Sequence, residues 1–125
     1  MTDGREGRTE RAGQPGRLSV RTSVSDGIRV LTVAGAIDYD TCEDLQQALE
    51  PSGPLPPRVV IDMHQVTFMD SSGINVLLAA YRTHSTAGGW VRLAGTTGAA
   101  RRALQLVGLD TVIDCHETLS QALDA

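Results

Sequence analysis

Polar and apolar residues alternate from Leu18 to Val24. Leu18, Val20, Thr22 and Val24 fall on one side, Ser19, Arg21 and Ser23 on the other. A period of two predicts a half-exposed strand. Ser25-Asp26-Gly27 is a turn signal. Ile28 to Ala34 alternates again, but both of its faces carry apolar residues. That predicts a second, more central strand, paired with the first as a hairpin. A helix is expected from about Asp40 to Glu50, capped by Asp40 or Thr41, with Leu45, Ala48 and Leu49 inward. The proline-rich run 51–57 reads as a stiff loop.

Val59-Val60-Ile61-Asp62 predicts a buried strand, since the run is β-branched and follows the breakers Pro56-Pro57. The segment Met63 to Met69 then leads to Asp70-Ser71-Ser72-Gly73 and a helix that Ala87-Gly88-Gly89 stops. Ile74, Leu77, Leu78 and Tyr81 form one apolar stripe at i, i+3, i+4 and i+7. That stripe is the expected core face. Ser72, Asn75, Val76, Ala79 and Thr83 are then expected outward, on a small and almost uncharged face suited to docking. Asp70 and Ser71 stand where an N-cap belongs. A serine at a helix N-terminus is also a favourable place for a phosphate, because free N–H groups and the helix dipole both favour an anion.

Trp90–Ala94 predicts the next strand, Ala99–Val107 a third helix with Leu104 and Val107 inward, Val112-Ile113 a short last strand, and Thr118–Leu123 a short last helix. The order is β-β-α-β-α-β-α-β-α. It predicts an α/β fold: a mainly parallel sheet of four to five strands, opened by an antiparallel hairpin, with about four helices packed against it. Residues 1–17 are rich in Gly, Arg and Glu and read as a disordered tail, leaving residues 18–125 as one domain.

Composition narrows the chemistry. All eleven basic residues are arginine, which excludes a lysine-dependent P-loop or Schiff-base mechanism. A net charge of −4 gives no electrostatic footprint for nucleic acid or for a polybasic membrane anchor. No apolar run approaches a membrane span and the N-terminus lacks a signal-peptide core, so the expected compartment is cytoplasmic. Cys42 and Cys115 share no ligand spacing with each other or with His64, His84 or His116. Two independent buried or partly buried thiols are favoured over a disulfide or a metal site.

The run Val66 to Arg82, VTFMDSSGINVLLAAYR, resembles the signature of the STAS-domain anti-sigma factor antagonists. GAIDYDTCEDL, from Gly35, and ARRALQLVGLDTVI, from Ala100, resemble two further segments of that family, with Ala36 where an acid is usual. The resemblance spans 18–124 and implies the STAS fold. It also implies a regulator with no cofactor of its own, which binds an anti-sigma factor, usually also a serine kinase of the GHKL type, and so frees a sigma factor. Ser72 matches the family's phosphoacceptor. Phosphorylation there breaks the complex, and a separate serine phosphatase resets it. The expected partner face comprises Asp38, Asp70, Ser71, Ser72, Gly73, Asn75, Val76 and Ala79, with Gly73 allowing close approach of a partner.

Three other readings compete. A receiver domain phosphorylated on Asp62 would need an acidic pair after the first strand and a late lysine, and the chain has neither. A serine hydrolase would need a base near Ser72, but G-x-S-x-G is absent and His84 lies three helical turns away. A STAS scaffold in a larger signalling complex or transporter, without a phosphorylation cycle, is the remaining alternative.

Overall fold

The computed structural model of the chain describes residues 18–53 and 55–125. The expected tail at 1–17 lies outside the described residues. Strand β1 (Leu18–Ser25) turns through Asp26 and Gly27 into β2 (Ile28–Ile37). Both turn residues have positive φ, 51° and 79°. That is the pair of left-handed positions a two-residue hairpin turn requires, and Asp-Gly is suited to it. Helix α1 (Cys42–Ala48), strand β3 (Arg58–Met69), helix α2 (Ser71–Thr86), strand β4 (Trp90–Ala94) and helix α3 (Gly98–Val107) follow. A 3₁₀ turn (Leu109–Thr111), strand β5 (Asp114–His116) and helix α4 (Leu119–Asp124) complete the chain.

The five strands lie in the order β1-β2-β3-β4-β5. The first pair is antiparallel and the rest are parallel, as the element order predicts. One face of the sheet carries α1, α2 and α3. There Leu31, Val33, Val59, Ile61, Val91 and Leu93 pack against Leu45, Leu77 and Leu104. Burying each such side chain contributes about 1.5–3 kcal/mol. The other face is covered by α4, where Ile28, Val60 and Ala94 meet Ala122. Arg92 stacks over Trp90 at 3.6 Å and donates to the Ala122 carbonyl at 3.1 Å, tying α4 to β4.

Several expected details are corrected. Strand β3 runs to Met69, well beyond Asp62, because two register shifts against β2 let the pairing continue until Ile37 lies beside Met69. The last strand is Asp114–His116, not Val112-Ile113. The 3₁₀ turn occupies the preceding stretch, and Ile113 is buried from its end. Val107 is 60% exposed, and Ala100 with Leu104 makes the inner side of α3.

Candidate functional site

The site is built where β2 and β3 end together. Ile37 pairs with Met69, and the Asp70 amide donates to the Ile37 carbonyl at 3.2 Å. The next residues of both strands, Asp38 and Asp70, are therefore brought to one end of the sheet. Asp38 shapes the loop into α1. Its Oδ1 accepts from the amides of Asp40 at 2.9 Å and Thr41 at 3.0 Å. The Thr41 hydroxyl accepts from the Asp38 amide at 2.9 Å and donates to the Ala36 carbonyl at 2.8 Å. Thr41 is only 3% exposed and does not cap α1 with its side chain. The Asp-x-x-Thr spacing was the available signal for this closed turn.

Asp70 is the N-cap of α2: its Oδ1 accepts from the Ser72 amide at 2.8 Å. Ser71, the other expected cap, is exposed instead, and its hydroxyl makes no hydrogen bond to the described residues. Only one side chain can occupy the N-cap, and Asp70 is the residue with extended backbone there. Ser72 is half-buried, with its amide held and its hydroxyl likewise unbonded among the described residues.

The helix is rotated relative to the expected stripe. Its buried residues are Gly73, Val76, Leu77, Ala80 and His84, while Ile74, Leu78 and Tyr81 are half-buried. Val76 is thus a core residue, 7% exposed, and not part of an outward face. Gly73 is also buried. A Cβ on it would lie 2.6 Å from Met69 Cγ and 2.8 Å from Ile37 Cγ2. The missing side chain lets α2 rest on the strand ends; it does not open the backbone to a partner. Small residues at 73 and 80 bring the helix axis close to the sheet, so the inward face is chosen by fit, not by the bulk of Ile74 and Tyr81. The exposed face carries Ser71, Asn75, Ala79, Arg82 and Thr83. Asn75 and Ala79 therefore stand outward as expected.

Two aromatic residues that sequence reasoning did not single out flank this end. Tyr39, next to Asp38, is 81% exposed, and Phe68, next to Met69, is 46% exposed. The chain has only four aromatic residues (Phe, Trp or Tyr), so exposing two of them at one end was the signal to weigh. Elsewhere, His84 is fully buried, its Nδ1 bonded to the Ala80 carbonyl at 2.8 Å. Asp62 is also buried, and its carboxylate is held by His64 Nδ1 at 2.8 Å. Cys42 is half-buried and Cys115 exposed, both as free thiols.

A family model for the STAS domain matches residues 19–122, nearly the whole described chain. The chain belongs to the STAS-domain family of anti-sigma factor antagonists. It is 32% identical over 112 residues to the anti-sigma-F factor antagonist RsfB of Mycobacterium tuberculosis, covering 87% of this chain and 89% of that one. The crystal structure of an anti-sigma factor antagonist from Mycobacterium paratuberculosis superposes with a TM-score of 0.76 at 30% identity, over 90% of this chain and 97% of the other. The anti-sigma factor antagonist SpoIIAA in its unphosphorylated form shares the fold at 19% identity, with a TM-score of 0.68 over 85% of this chain and 94% of that one. Among the described residues no helix is long and apolar enough to cross a membrane.

Proposed function

We propose that this STAS protein is a cytoplasmic anti-sigma factor antagonist, a regulator and not an enzyme, switched by phosphorylation of Ser72. In the unphosphorylated state the end of the sheet formed by Asp38, Asp70, Ser71, Ser72, Asn75 and Ala79 docks on an anti-sigma factor that is also a GHKL-type serine kinase. Docking frees the sigma factor for transcription. The kinase modifies Ser72 and the complex breaks; a serine phosphatase restores it.

The observation that carries this reading is the placement of Ser72 in the first turn of α2, its amide held by Asp70 and its hydroxyl unbonded among the described residues. Tyr39 and Phe68 supply the rigid apolar area that anchors protein interfaces. A phosphoserine adds about −1.5 to −2 charges. Neither 35–50 nor 59–81 contains an arginine or lysine to neutralise it. Asp38 and Asp70 follow the paired strand ends, and Glu43 and Asp44 lie in the first turn of α1. Burying the phosphate unpaired in an interface costs several kcal/mol. The helix tolerates it, since an anion suits its N-terminus. The switch then acts on docking and leaves the fold intact.

The test is incubation with the cognate kinase, ATP and magnesium, followed by phosphosite mapping. A single phosphate on Ser72 is expected. Because Ser71 is the more exposed hydroxyl, phosphate on Ser71 alone would refute the assignment.

A further inference from the structure

The sheet has two edges of different character. Strand β5 is three residues long and carries Asp114, a charge that discourages pairing. Strand β1 is eight residues long, with no proline, no lysine and a single charge, Arg21. Among the described residues it pairs only with β2. Of the usual devices that blunt an edge strand, β1 carries only this one charge.

The direction of its free backbone groups follows from the hairpin. Ser25 and Ile28 close the two-residue turn, so that pair exchanges hydrogen bonds, and so do Ser23–Val30, Arg21–Thr32 and Ser19–Ala34. The N–H and C=O groups of Leu18, Val20, Thr22 and Val24 therefore point away from β2. A second antiparallel strand must match outward residues with outward residues, which limits self-pairing to two central registers. One places Arg21 opposite Arg21, and like charges directly across repel. The other centres on Thr22.

In that second register Thr22 faces Thr22, Val20 faces Val24, Arg21 faces Ser23 and Ser19 faces Ser25. Every pair is compatible. Val24, 71% exposed in the single chain, gains an apolar neighbour on the helix-bearing side of the sheet. Thr–Thr and β-branched cross-strand pairs are favourable. The two-fold axis passes through the Thr22 pair, perpendicular to the sheet, so both copies keep α1, α2 and α3 on one side.

We propose that β1 is a dimerisation edge. Two copies join antiparallel about Thr22 into one ten-stranded sheet, leaving the Ser72 end of each copy free. This inference does not depend on the reading of Ser72.

Sedimentation equilibrium across protein concentration should show the apparent mass rising toward twice that of the monomer. Thr22→Pro removes an outward N–H without touching the β1–β2 ladder, and should abolish the rise with the circular dichroism spectrum unchanged. A register test does not depend on that variant folding. Residues of a hydrogen-bonded pair have Cα atoms about 5.5 Å apart, within disulfide reach. Under mild oxidation Thr22→Cys should give a bridged peptide joining the two copies of residue 22, at least about tenfold faster than Arg21→Cys joins residue 21. A monomer mass at every concentration would overturn the proposal, and so would preferential bridging of Arg21→Cys.

Discussion

The carboxylate of Asp70 holds the amide of Ser72 at 2.8 Å, so the residue that begins α2 also fixes where the serine stands. Replacing Asp70 by Ala should cost about 0.5–2 kcal/mol, the usual worth of an N-cap. Ser71→Ala should stay within about 0.5 kcal/mol of wild type, as for an exposed residue without a partner. Urea denaturation of the two variants checks the order. A larger loss in Ser71→Ala would return the cap to Ser71.

Gly73 lies against Met69 and Ile37 with no room for a side chain. Gly73→Val should therefore destabilise the fold by about 1–3 kcal/mol, the usual cost of overpacking. A thermal melt measures it. An unchanged melting temperature would mean that the strand ends yield easily and that the close packing of α2 is not fixed by this residue.

The reasons for success and failure along α2 are physical. Its start, its end and its helical period were legible from Asp70, from Ala87-Gly88-Gly89 and from the spacing of Leu77 and Tyr81. Its rotation was not. Ranking residues by hydrophobicity favours Ile74 and Tyr81, whereas the distance between helix and sheet favours Gly73 and Ala80, and that distance is a property of the assembled fold. The hairpin was readable because Asp26-Gly27 is a local signal. The extent of β3 was not, because it depends on bulges that let β2 follow it to Met69. Asp38 and Asp70 are far apart in sequence, and only the Ile37–Met69 pairing brings them together.

Burial lowers the pKa of His84 from 6.5. Its bond to the Ala80 carbonyl acts the other way, and the positive charge of Arg29 lowers it further. The Nε2 atom is buried without a partner among the described residues. His84 is therefore harder to protonate in the folded protein than in the unfolded chain, which takes up a proton below about pH 6.5. The stability linked to this group is fully present above the unfolded value and is lost as pH falls toward the folded one. Denaturation midpoints should drop from pH 7.5 to pH 5.5, and by less in His84→Leu. An equal drop in both proteins would remove His84 as the cause.

Tyr39 is exposed and makes no core contact that its loss would disturb. Tyr39→Ala should fold with an unchanged melt yet bind the anti-sigma factor at least about tenfold more weakly, the loss of about 1.4 kcal/mol or more that marks an aromatic anchor. Calorimetric titration reads this directly. Unaltered affinity would place the interface away from the α1 end of the site.

The most direct measurement of the proposed switch is the affinity of one preparation for an anti-sigma factor before and after stoichiometric phosphorylation, by titration calorimetry. Phosphate on Ser72 should weaken binding by about 10²–10³, equivalent to about 3–4 kcal/mol, with the circular dichroism spectrum unchanged. Ser72→Ala should bind as the unmodified protein does and resist release by kinase and ATP. Equal affinity of the phosphorylated and unphosphorylated forms would contradict the account.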